Sequence, residues 1–143
     1  MFYITLSLTY VAGNILGKYL LKNNTINSVL RVGYCIFNIG AILLAVAGVF
    51  HLQLIIMVIS ISVLTFGNGF LIPLGTAGVV GSFSTDIGYA SGLLGFLQLG
   101  LAAISAVIIG IISQNSIVGL GIYLVITTFI GSLIYLKLNP VEA

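Results

Sequence analysis

Polar residues interrupt this chain in only a few places, and the stretches between them are long and oily. Apolar stretches occupy positions 2–21, 32–50, 54–80, 87–112 and 117–136. Each is close to or above the roughly 20 residues that a helix needs to cross the hydrocarbon core of a bilayer. Between them lie KNNTINS at 22–28, His51 to Gln53, SFSTD at 82–86 and SQNS at 113–116, and a short polar tail follows 136. Membrane barrels alternate polarity over runs of about ten residues. These stretches are longer and do not alternate. The pattern predicts one all-α domain over 1–143, a polytopic membrane protein of five transmembrane helices.

Composition agrees. The chain is 60% hydrophobic and 4% charged, against about 25% charged residues in a soluble domain. A net charge of +2 leaves no basic patch able to neutralise a run of phosphates, so nucleic acid is not an expected partner. The lipid bilayer is.

Charge placement then sets topology. With five spans, the 22–32 loop, the 82–86 turn and the C-terminal tail share one side. That side carries Lys18, Lys22, Arg31 and Lys137, which are all the basic residues. The positive-inside rule makes it the cytoplasm, with the N-terminus outside and the C-terminus inside. Positive charge follows the first run rather than preceding it, which predicts a retained helix rather than a cleaved signal peptide. The two acids, Asp86 and Glu142, fall in a turn and the tail. No carboxylate is placed in mid-membrane, where ionisable groups usually mark function.

The amides and small residues carry the remaining information. In the fourth run Gly88, Ser91, Gly95, Gln98, Ala102 and Ser105 recur at three- and four-residue steps on one face. Gly88 and Gly92 form a small-xxx-small pair of the kind that lets helices approach closely. Gln98 is either part of that packing face or a polar group on a wet cavity. In the third run Pro73 removes a backbone donor and frees the Gly69 carbonyl. With Asn68 nearby, the proline is either a packing kink or a gating element. Gly13 and Gly17 form another small-xxx-small pair. Asn14 and Asn38 are expected to hydrogen-bond across helices. Cys35, the single cysteine, is expected to be a buried, inert thiol, and His51 an interfacial loop residue. No metal-ligand cluster, phosphate loop or nucleophile–base pairing is present, so no cofactor and no enzymatic activity are expected.

Two of these segments together resemble a known family. Gly67-Asn-Gly-Phe-Leu-Ile-Pro73, followed by Gly88-Tyr-Ala-Ser-Gly-Leu-Leu-Gly-Phe-Leu-Gln98, is similar to the tenth and eleventh helices of major facilitator drug exporters. The closest branch is the bicyclomycin/chloramphenicol-resistance (Bcr/CflA) group. Gly92 stands where that group has Ala. The first, second and fifth runs would then be the eighth, ninth and twelfth helices. Gly17-Lys18 and the basic loop after them resemble a degenerate cytoplasmic loop motif that lacks its usual Asp. The resemblance implies a partial C-terminal half of a major facilitator fold. It implies an inner-membrane, proton-coupled multidrug antiporter in the intact protein, acting on a small hydrophobic drug-like substrate. The missing N-terminal half would be its partner. It makes Asn14, Phe66, Asn68, Phe70 and Gln98 candidates for the substrate pathway. Gly13, Gly17, Pro73, Gly88, Ser91, Gly92 and Gly95 become packing or kink positions. The proton-coupling acids are expected in the part not present here, so the chain alone is expected not to transport. The alternative is a standalone small membrane protein serving as an assembly or regulatory subunit of a partner complex.

Overall fold

The computed structural model describes residues 2–50, 53–83, 86–112 and 117–138. They form five helices: α1 (Phe2–Leu20), α2 (Ile26–Val49), α3 (Leu54–Gly81), α4 (Ile87–Ile112) and α5 (Ile117–Leu138). No strand occurs among the described residues. A helix satisfies every backbone polar group within its own segment, which suits sequence this apolar. The hydroxyls inside the helices follow the same economy. Ser60, Ser62 and Thr65 each donate to the carbonyl four residues earlier, at 2.8 Å.

Four helices, α2 to α5, are long and apolar enough to cross a membrane. The 28 residues of α3 extend about 42 Å, more than the roughly 30 Å of hydrocarbon. α1 is more polar, because Thr5, Ser7, Thr9, Asn14 and Lys18 dilute its 19 residues.

α2 begins six residues before the apolar run at 32. Thr25 explains this: its hydroxyl accepts from the Ser28 amide at 3.3 Å and lies 3.0 Å from the Ser28 hydroxyl. That cap satisfies an otherwise orphaned donor and brings Asn27 and Arg31 into the helix. Thr25→Ala is expected to cost about 1 kcal/mol at this end. It should appear as faster amide exchange over the first turn of α2, with the rest of the helix unchanged. At the other side of the loop, the Asn24 amide donates to the Leu20 carbonyl at 3.0 Å, closing the end of α1. The Asp86 carbonyl accepts from Ala90 at 2.9 Å and starts α4. His51, the 113–116 turn and the tail with Glu142 lie outside the described residues.

α3 sits at the centre, between α1 and α2, and α5 packs on α2. Glycines two residues apart make this possible, since a two-residue step on a helix turns about 200°. Gly67 faces α2, where a Cβ would lie 2.8 Å from the Phe37 nitrogen. Gly69 faces α1, where a Cβ would lie 2.5 Å from the Tyr10 carbonyl oxygen and 3.0 Å from the Asn14 nitrogen. The seam has small residues on both sides, because a Cβ on Gly13 would overlap the Phe66 carbonyl oxygen. Two buried clusters result. Val29, Leu30, Phe70 and Leu74 form one, and Ala41, Leu44 and Leu64 the other.

α4 differs from the rest. It packs only lightly, on its neighbours α3 and α5, and no part of its membrane-length window is buried. Ala90 is its buried residue.

Candidate functional site

The residues singled out from the sequence separate into three environments. Asn14, Phe66 and Phe70 gather at the α1–α3 seam. Phe70 is fully buried. Its ring closes on Gly17, where a Cβ would lie 3.2 Å from Cδ1, and its Cβ closes on Gly33. The Phe66 ring meets it edge-on at 5.5 Å. Phe70 therefore serves the core of the described chain. Asn14 has its backbone under Gly69 while its side chain is exposed, and Asn68 and Pro73 are half-buried on α3. α3 continues as helix across Pro73 to Gly81.

Gln98 stands apart, exposed on α4. A Cβ on Gly88, Gly92 or Gly95 would meet none of the described residues within 4 Å. Ser91 is exposed and donates to its own helix, to the Gly88 carbonyl at 3.0 Å. The small face of α4 thus has no partner among the described residues.

Two further expectations need correction. Asn38 does not bond across helices: its amide donates to the Tyr34 carbonyl at 2.8 Å, one turn back in α2. Cys35 is exposed, not buried. Its sequence neighbours Ile36 and Phe37 pack towards the cores, and a helix turns Cys35 away from them by roughly 100° per residue.

The most developed polar arrangement is one the sequence reading did not single out. Near the end of α5 the Tyr135 hydroxyl donates to Asn27 Oδ1 at 3.1 Å, with the Asn27 carbonyl 3.4 Å away. The Tyr135 ring lies against Tyr34, centroids 5.0 Å apart. This tyrosine pair is a wall shared by two cavities. One, of about 480 Å³, lies between α2, α3 and α5 and is lined by Asn27, Leu30, Leu71, Gly75 and Ser82 among others. The second, of about 500 Å³, runs between α2 and α5 with Arg31 at one end. Neither is lined by Asn14, Phe66, Asn68, Phe70 or Gln98. The signal available in the sequence was a tyrosine beside Lys137 at the end of an apolar run, the usual place of an interfacial aromatic.

Chemically, these cavities offer a phenol, an amide and a guanidinium beside apolar walls. That combination suits an amphiphile. Among the described residues no three His, Cys, Asp or Glu side chains come together to hold a metal. No protein-family model, curated protein or solved structure matches this chain.

Proposed function

We propose that this chain is the C-terminal part of a proton-coupled multidrug exporter of the major facilitator type. In this reading α1 also crosses the inner membrane, giving five spans with the N-terminus outside and the C-terminus in the cytoplasm. The observation that carries it is the pair of motifs, 67–73 and 88–98, on consecutive helices α3 and α4 joined by a short turn. Support also comes from how differently the two motifs are used. Gly67 and Gly69 are spent on seating α3 between α1 and α2, whereas a Cβ on Gly88, Gly92 or Gly95 would meet nothing within 4 Å among the described residues. An open small-residue face on a membrane helix is suited to receive further helices, which the remainder of a transporter supplies. Asn14 and Gln98, both exposed, are then the pathway residues with side chains still available to a substrate.

The open face of α4 also favours a second reading, a standalone subunit that docks on a partner membrane complex. Two measurements decide. Proteoliposomes containing only this polypeptide, given a pH gradient, are expected to move no ethidium or chloramphenicol. The DNA directly upstream of the Met1 codon is expected to encode seven further spans. Efflux by the chain alone would overturn the partial-transporter reading. A promoter and ribosome site immediately before Met1 would replace it with the subunit reading.

A further inference from the structure

The groove between α2 and α5 has three properties that together select an occupant. It is bounded at both ends. α2 and α5 run antiparallel, with Tyr135 on Asn27 at one end and Gly121 on Ala45 at the other, where a Cβ would lie 2.6 Å from the Ala45 Cα. The groove occupies the space between these contacts, from Arg31 to Ile42 along α2. The eleven helical steps between them span about 16 Å, which matches one leaflet of a hydrocarbon core about 30 Å thick. A helix crossing the whole membrane does not fit so short a slot.

The walls are apolar and open to the side. Ile39, Ile42 and Phe129 line it, each more than half exposed. The one charged lining residue stands at the Tyr135 end. Arg31 lines the groove there beside Tyr135. Lys18, Lys22 and Lys137, all exposed, belong to the same end of the helices. Of the described residues, Asp86 is the one acid, exposed in the turn between α3 and α4 at that end. Among the described residues that end of the helices carries four basic residues and one acid.

We propose that this groove is a binding site for an anionic phospholipid, with its phosphate at Arg31 and one acyl chain lying along the groove towards Ile42. A basic pocket between membrane helices is suited to an anionic headgroup, and an acyl chain is the apolar object one leaflet long. The proposal needs only that α2 and α5 lie in a bilayer, and it stands whether or not the chain is part of an exporter.

Cys35 lines the same groove one turn from Arg31 and is exposed. As the single cysteine of the chain it reports occupancy without engineering. Purified protein in mild detergent would be alkylated with N-ethylmaleimide and the modified fraction followed by mass spectrometry. Added phosphatidylglycerol is expected to slow alkylation about five-fold relative to phosphatidylcholine, the difference one basic side chain makes to an anionic lipid. Arg31→Gln should remove that difference and Arg31→Lys should keep most of it. Equal rates with both lipids would overturn the proposal, as would protection that survives in Arg31→Gln. Equal protection by inorganic phosphate would reduce the site to a simple anion site. Protection that rises with protein concentration in the absence of lipid would assign the groove to a second copy of the chain. If circular dichroism shows that Arg31→Gln has lost helix, the headgroup comparison on the unmodified protein decides by itself.

Discussion

Gly69→Val is expected to detach α1 from α3. A Cβ at position 69 would lie 2.5 Å from the Tyr10 carbonyl oxygen, 3.0 Å from the Asn14 nitrogen and 3.1 Å from the Gly13 Cα. All three are backbone atoms, so no rotamer change relieves the overlap, and a second branch at Cβ adds to it. The helices must separate. In a bilayer this is costly for a specific reason: lipid is as apolar as a helix surface, so close van der Waals packing rather than water exclusion holds helices together. Overpacking usually costs about 1–3 kcal/mol, and a backbone–backbone seam belongs at the upper end. The measurement is thermal unfolding in detergent together with energy transfer between labels on α1 and α3. The informative comparison is Gly92→Val, where a Cβ meets none of the described residues within 4 Å, and which should leave the purified chain within about 0.5 kcal/mol of the original. Equal loss from the two variants would show that the seam is not where the stability of α1 resides.

Phe70→Ala should be the costliest truncation in the chain. The ring is fully buried, packed against Val29, Leu30 and Leu74 and closed over by Gly17. In a water-soluble protein such a change costs about 3–5 kcal/mol, part of it the transfer of the side chain out of water. Here the reference state is also apolar, so the transfer part largely vanishes and the cavity part remains. At about 24 cal/mol per Å³, a void on the order of 100 Å³ gives about 2.4 kcal/mol. Gly17→Ala provides the cross-check. Alone it crowds the ring, since its Cβ would lie 3.2 Å from Cδ1, and it should be mildly destabilising. In the Phe70→Ala background the ring is gone and the same methyl group partly fills the void. The double-mutant cycle should therefore show favourable coupling of at least about 0.5 kcal/mol. Additive effects would mean that the Phe70 ring does not close on Gly17.

The helices were legible because the apolar runs are long and end in turn formers. Helix ends were less so. The run starting at 32 hid the beginning of α2, because Thr25 caps a helix whose first turns are polar and the oily stretch begins only later. The small-residue patterns were visible, but not their use. Gly13-x-x-x-Gly17 and Gly88-x-x-x-Gly92 look alike in sequence; the first lies in a seam and the second faces none of the described residues. A spacing shows that a close approach is possible and cannot say whether a partner helix lies opposite. The Tyr34–Tyr135–Asn27 arrangement was illegible for a related reason, since Tyr135 and Asn27 are 108 residues apart and no local pattern connects them.

By itself, then, the sequence determined that the chain is all-helical, that most of its length is apolar enough for a membrane, and that its basic residues collect at one end of the helices. Those properties are sums over residues or depend on near neighbours, so they survive without knowledge of the fold. Only the tertiary structure decided that α3 is the central helix, that Phe70 belongs to a core, that Cys35 is exposed, and that a groove running from Arg31 to Ile42 separates α2 from α5. Each of these depends on which helix lies against which. In an apolar chain almost any face can be buried, so the choice falls to the shape of the few places, such as Gly67 and Gly69, where two backbones can touch.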